Sequence, residues 1–393
     1  MRVLFLSHWY PYPPDNGSKI RIANLLRALC ESDDVTLLSF SEAGDPIKVG
    51  NETGPLPRQI ITCPCREYNP YRWRALRGYM GMTPRYIADT YSMEMDTLIR
   101  DAVRCGSYDV VVASELSMAS YHRCFSGLPA VIDDIELGLY CPDTESGLPL
   151  SLSGWRKRLT WEKHRRYVAR VVETFRSCTV VSQRERELLA EIAPRYDLVH
   201  VVPNCIDVAG CARRASDRVV NSLIFVGSFA YSVNYDGMAW FLGDIYPLIR
   251  AEVQGVRLTI TGDPDGRPPL AGPDVMQTGR VTDVHALIAA SAVSIVPIRS
   301  GGGTRLKILE SIASGTPVVT TSKGVEGLEL RDGEHLLIAN TPVEFAKAVI
   351  RLLSEPDYAR SIAENALRVV RERYDRAIVL PEFTRLVHGV AEV

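Results

Sequence analysis

The chain has 393 residues, and at roughly 150 residues per domain this length implies two or three domains that need no disulfide or metal staple. Forty-five lysines and arginines against 47 aspartates and glutamates give a formal net charge of −2, which excludes a surface built throughout to grip nucleic acid. With 46% hydrophobic and 23% charged residues, the composition excludes a disordered chain.

The N-terminus, MRVLFLSHWYPYPP, offers an apolar run of five residues after Arg2, too short for a signal-peptide core or a membrane span. The nine cysteines lack the paired spacing of a zinc site and are expected as free, mostly buried thiols in a cytoplasmic protein.

Short apolar runs then alternate with longer amphipathic stretches, the pattern of βα units around a parallel sheet. In the first half the predicted strands are Val3–Ser7, Val35–Phe40, Ile60–Cys63, Asp109–Ala113, Ala130–Asp133, Thr179–Ser182 and Leu198–Val202. In the second half they are Leu223–Gly227, Val256–Gly262, Ala292–Pro297, Pro317–Thr321 and His335–Ala339, with a helix over Met238–Arg250. The break falls at Pro203-Asn204-Cys205-Ile206-Asp207, followed by the polar segment Arg213–Arg218. This predicts an α/β protein of two doubly wound domains, residues 1–204 and 205–374, with a helix over Arg376–Val390 in the tail 375–393. Two such domains are expected to face each other across a cleft at the carboxyl ends of their strands, where ligands of such sheets bind.

The most informative segment is Val296-Pro297-Ile298-Arg299-Ser300-Gly301-Gly302-Gly303-Thr304-Arg305-Leu306-Lys307-Ile308-Leu309-Glu310, which joins a strand to a helix. Gly301, Gly302 and Gly303 let backbone N–H groups approach a ligand, and Thr304 is expected to cap a helix whose positive dipole end points to the same place. Helical spacing is expected to set Gly303, Lys307 and Glu310 on one face. A nucleotide sugar suits that order: its diphosphate lies on the glycine N–H groups, Arg305 or Lys307 neutralises charge, and Glu310 accepts the ribose hydroxyls.

The run GGGTRLKILESIASGTPVVTTSKGVEGL resembles the donor-site signature of retaining glycosyltransferases of family 4. Ile224-Phe225-Val226-Gly227-Ser228 is similar to the opening strand and loop of that family's second domain, Gly279-Arg280-Val281 to its base-binding turn and Val201-Val202-Pro203-Asn204 to its hinge. Tyr12-Pro13-Pro14-Asp15-Asn16-Gly17-Ser18-Lys19-Ile20-Arg21 resembles the opening loop of bacterial polysaccharide and glycoconjugate sugar transferases. The resemblance implies the GT-B fold of two facing Rossmann-like domains, with the C-terminal helix packing back toward the first. It implies retaining hexosyl transfer from a nucleotide-diphosphate sugar to a hydroxyl acceptor, with no cofactor and no metal. Gly227, Ser228, Arg280, Val281 and Glu310 are then expected at the nucleoside, and Gly17 at the diphosphate. Two departures stand out. Gly302 occupies the place of the first of two glutamates, and Gly227–Asn234 contains no cation where many members carry an arginine and a lysine. The charge is therefore expected from Arg305 and Lys307.

In the first domain, Ser18 is a candidate helix cap and Lys19 and Arg21 bring charge to a helix start, while Trp9, Tyr10 and Tyr12 suit either stacking on an acceptor or packing within the proline-rich loop, with His8 beside them. Asp133 and Asp134 follow a strand, with Glu136 just beyond, and are read either as acids that orient the acceptor, alongside Glu310 as the catalytic carboxylates, or as a cap of the next helix. Asp263-Pro264-Asp265 reads as a turn and not as a metal motif. The basic stretch 153–170 contains seven lysines or arginines and two tryptophans, which allows peripheral contact with an anionic membrane surface as well as an ordinary solvated helix. A nucleotide-sugar epimerase or hydrolase of the same fold and a non-catalytic nucleotide-sugar-binding module stay open. A dinucleotide oxidoreductase is disfavoured, because no G-x-G-x-x-G follows either opening strand.

Overall fold

The computed structural model describes residues 1–41, 54–135, 137–140, 152–212 and 218–392. Glu136 and residues 213–217 lie outside them. The chain divides into two compact units, Met1–Pro203 with the chain from Leu380 onward, and Asn204–Val379.

The first unit is built on β1 (Arg2–Ser7), β2 (Asp34–Ser41), β3 (Gln59–Pro64), β4 (Val110–Ser114), β5 (Ala130–Asp133), β6 (Ser177–Val180) and β7 (Val199–Val201). They lie parallel in the order β3-β2-β1-β4-β5-β6-β7. Their apolar runs are continuous because helices cover both sheet faces: five consecutive residues of β1 are buried, as is all of β4. The helix Arg376–Ala391 buries Phe383 and Val387, and His388 Nε2 lies 2.8 Å from Asp33 Oδ2.

The second unit contains β8 (Val219–Val226), β9 (Arg257–Thr261), β10 (Val275–Gly279), β11 (Ser291–Val296), β12 (Val318–Thr320) and β13 (Leu337–Ile338), parallel in the order β10-β9-β8-β11-β12-β13. β10 is absent from the apolar pattern, since an edge strand reading Val-Met-Gln-Thr-Gly is only partly buried. The helical stretch after β8 starts at Ser232, six residues before the predicted Met238, and passes through a π turn at Phe241–Ile245 before Tyr246–Glu252. Phe241 packs edge-on against Phe345 in the core, with ring centroids 5.9 Å apart.

In each sheet the chain starts at a central strand and adds strands outward, first on one side and then on the other. The reversal falls between β1 and β4 and between β8 and β11, where loops leaving adjacent strands diverge and open a crevice. Among the described residues no helix is long and apolar enough to cross a membrane.

Candidate functional site

At the reversal in the second sheet, Gly227 follows β8 and the loop Pro297–Arg305 follows β11. Gly301 (φ +85°) and Gly303 (φ +82°) take the left-handed backbone that glycine tolerates. A Cβ on Gly301 would sit 2.3 Å from Tyr231 Oη, so a side chain there would have to displace that ring as well as accept the left-handed backbone.

The helix begins at Leu306, later than its sequence pattern indicates. Arg305 holds the cap position without a side-chain bond, and Thr304 Oγ1 is buried with no hydrogen-bond partner. Thr304 is thus not the cap and Gly303 is not on the helix. The reason is Arg305, which turns back on the loop: Nη1 donates to Gly302 O (2.6 Å) and Nη2 to Ser300 O (3.2 Å). Those carbonyl bonds brace the glycine turn and turn two of the guanidinium nitrogens of Arg305 onto the loop, while its Nε has no hydrogen-bond partner.

Lys307 is the cation that reaches the crevice. Its Nζ donates to Asn234 Oδ1 (2.8 Å) and lies 4.4 Å from the Phe225 ring centroid. A Cβ on Gly227 would fall 2.6 Å from that Nζ. Asn234 is held in turn, donating from Nδ2 to Ser228 O (2.7 Å). Burial pushes the Lys307 ammonium down to about 7; the Arg305 charge acts the same way and Glu310 opposes it. One turn deeper, the side chain of Glu310 is one-fifth exposed, with Oε1 3.9 Å from His285 Nε2. Burial raises its carboxyl pKa, while His285 and Lys307 pull it down.

Beside this crevice, a cavity of about 320 Å³ opens at the ends of β8, β9 and β10, lined among others by Gly227, Phe229, Gly262, Arg267, Gln277 and Gly279. A Cβ on Gly262 (φ +136°) would meet Gly227 O at 2.3 Å, so two bare backbone turns press together at its wall. Ser228 is tied into its own turn, accepting from Ala230 N (3.2 Å). Arg280 pairs with Asp263 (Nε to Oδ2, 3.0 Å), Val281 is partly buried, and Asp263 Oδ1 accepts from Asp265 N (2.9 Å). Both carboxylate oxygens of Asp263 are thus engaged, one within the turn and one by Arg280. Asn234, His285, Phe229 and Gln277 were not singled out by sequence; the only signal was that Gly227–Asn234 lacked a cation.

In the first unit the helix Gly17–Cys30 is capped by Asn16, whose Oδ1 accepts from Lys19 N (3.0 Å), and not by Ser18. Gly17 is exposed at that helix start, and Lys19 pairs with Asp15 (3.1 Å). Tyr12 is buried and packs edge-on against Tyr10 (5.9 Å), which corrects its reading as a stacking platform. Trp9 is exposed at 39%. His8 packs edge-on against Trp9 and Phe40, burial lowers its pKa, and its Nδ1 has no hydrogen-bond partner.

Asp133 is fully buried and gripped by Arg21, with Nε to Oδ2 at 3.1 Å and Nη2 to Oδ1 at 2.6 Å, while Thr179 Oγ1 donates to the same Oδ1. Arg21 Nη1 also donates to Val202 O (2.9 Å). Asp133 therefore ties β5 to the first helix and is not available to an acceptor. Asp134 follows it, buried, at φ +54°, with Oδ2 3.9 Å from Arg21 Nε. Sequence reasoning passed over Glu115, which leaves β4 at the reversal of the first sheet with φ +70°. Positive φ is costly for a non-glycine residue and concentrates at functional positions.

Residues 220–355 match the family model of glycosyl transferases group 1. An uncharacterised 44.6 kDa protein from the cps region of Klebsiella pneumoniae is 29% identical over 165 residues, covering 39% of this chain and 42% of that one. A trehalose synthase of Rubrobacter xylanophilus is 28% identical over 162 residues, 36% of this chain and 38% of that protein, so the matches span well under half of either relative. Among solved structures, the sucrose-phosphate synthase of Thermosynechococcus elongatus superposes with a TM-score of 0.69 at 15% identity, covering 99% of this chain and 98% of that one. Anabaena HepE in complex with UDP and glucose gives 0.63 at 13% identity, with 98% and 99% covered.

Proposed function

We propose that this chain, a GT-B protein whose residues 220–355 form a group 1 glycosyltransferase domain, moves a sugar from a nucleoside diphosphate to a hydroxyl acceptor with retention of configuration. The single observation that carries the reading is the Lys307 ammonium beside side-chain-free Gly227 at the reversal of the second sheet, with Glu310 one turn deeper. A diphosphate needs a cation where no side chain blocks approach, and a ribose needs an acceptor for its hydroxyl hydrogens. Those two demands are met in the order in which a nucleotide sugar presents them.

In the proposed reaction the C–O bond from the anomeric carbon to the diphosphate breaks, the acceptor oxygen bonds on the same face, and the proton of its hydroxyl passes to the departing diphosphate oxygen. Lys307 and the N–H groups of the Gly301–Gly303 turn stabilise the charge left on the departing diphosphate. Glu310 and the cavity beside Gly227 hold the nucleoside, and within the first unit Glu115 replaces Asp133 as the candidate acceptor-side acid. The relative from a cps region and the UDP-bound fold neighbour support a polysaccharide or glycoconjugate acceptor and a nucleotide-sugar donor.

The test is a thermal-shift panel of UDP, GDP, ADP, dTDP and CDP sugars, followed by turnover with and without acceptors. A matching donor at a hundredfold excess over its dissociation constant stabilises by about 2.7 kcal/mol. Nucleoside diphosphate release that requires an acceptor supports transfer. Release without acceptor points to a hydrolase or epimerase, and binding without turnover on any acceptor points to a binding module.

A further inference from the structure

The basic helix Leu152–Val172 exposes Trp155 (57%) and Leu159 (63%) one turn apart. The next residue on that stripe is Lys163, whose Nζ donates to the backbone oxygens of Gly78 (2.7 Å) and Tyr79. Lys163 thereby fastens the helix to a second exposed element, the short helix Trp73–Arg77 and its flanking turns, where Tyr71, Trp73, Tyr79 and Met80 lie largely in solvent. Scattered apolar residues on a surface mean little, but six large ones on two joined elements form a patch.

Charge is segregated to the same place. Residues 66–85 carry five arginines and one glutamate, and 153–170 carry seven cations and one glutamate, in a chain of net charge −2. The arginines attend the exposed rings. Arg74 and Arg77 lie 5.7 and 5.5 Å from the Trp73 ring, Arg158 lies 6.0 Å from that of Trp155, and Arg85 lies 4.0 Å from that of Tyr79. Glu162 pairs with Arg165 and Arg166, and buried Asp89 with Arg72, and the cations of the two segments still far outnumber these acids.

We propose that this face of the first unit docks on an anionic lipid bilayer. Tryptophan, tyrosine and methionine would enter the headgroup boundary while the guanidinium groups stay at the lipid phosphates, a division of labour that an amphipathic basic surface supports. The surface is assembled from two segments about eighty residues apart, as the Lys163 bonds record. It stands independently of the donor-site reading.

The test is co-sedimentation of the full chain with phosphatidylcholine vesicles with and without phosphatidylglycerol. Binding is expected only with the anionic lipid and is expected to weaken steeply with salt. The double variant Trp73→Ala/Trp155→Ala and the charge-reversed Arg77→Glu/Arg158→Glu should each lower partitioning roughly tenfold or more. Both pairs lie at the surface, so melting temperatures report whether the fold is kept. Absence of preference for anionic vesicles, or binding unchanged in both folded variants, overturns the proposal. Light scattering that reveals a dimer broken by Leu159→Ser, without vesicle binding, would make the face a self-association surface instead.

Discussion

Lys307 Nζ donates to Asn234 Oδ1 at 2.8 Å, across from the helix that follows the glycine turn to the helix that follows β8. The cation expected after β8 is missing from that strand's own loop, and Lys307 reaches the position from the helix that follows the adjacent strand β11. Lys307→Ala should raise the donor KM or lower kcat at least about tenfold, or 1.4 kcal/mol. Asn234→Ala should lose less, and the double variant should be no worse than Lys307→Ala, because Asn234 acts only by aiming the ammonium. Steady-state kinetics on the three variants measure the coupling, and additive losses would separate the two residues.

With its pKa pushed down to about 7, Lys307 is only partly charged at neutral pH before donor binds. A diphosphate favours the protonated form, so above pH 7 binding should take up a proton and affinity should fall as pH rises toward the liganded pKa. Calorimetry at pH 8 in buffers of different ionisation enthalpy, with a nucleotide sugar whose diphosphate does not titrate near neutrality, should register the uptake. Lys307→Met should abolish it. The unliganded protein runs the other way. Between pH 7 and the ordinary lysine pKa of 10.5 the unfolded chain holds more protons, so this residue's contribution to stability grows with pH.

Gly227→Ala should cost donor affinity more than stability, since its methyl would lie 2.6 Å from Lys307 Nζ and displace the ammonium. Gly303→Ala meets nothing within 4 Å, and its cost should be the backbone strain of φ +82°, about 1 kcal/mol. Donor titrations beside melting curves distinguish the two. Equal donor affinity in wild type and Gly227→Ala would detach the ligand from this crevice.

Asp133 and Glu115 should separate by readout. Removing Asp133 leaves Arg21 buried and uncompensated, so Asp133→Ala should destabilise by about 3–5 kcal/mol. Glu115→Gln should leave the melting temperature near wild type and lower kcat on an accepted acceptor. A stable Asp133→Ala enzyme with reduced kcat would restore the aspartate as the acceptor-side group.

Turnover should survive EDTA. Asp263 is committed to its own turn and to Arg280, and the departing diphosphate has Lys307 for charge. Complete loss of activity restored by magnesium would overturn this.

Periodicity and turn chemistry were enough to read two parallel α/β units, a glycine turn between a strand and a helix at 301–310 and the break near Pro203, because strand burial and glycine backbone freedom are local properties of the chain. Side-chain assignments at the sites were not local. Whether Arg305 faces a ligand or its own loop carbonyls, whether Asp133 is free or clasped by Arg21 from 112 residues away, and whether Lys307 reaches β8 depend on which distant groups packing brings within hydrogen-bond range. Sequence spacing along one helix fixes neighbours at three and four residues, whereas Asn234 and Lys307 are 73 residues apart and meet only because β8 and β11 lie side by side.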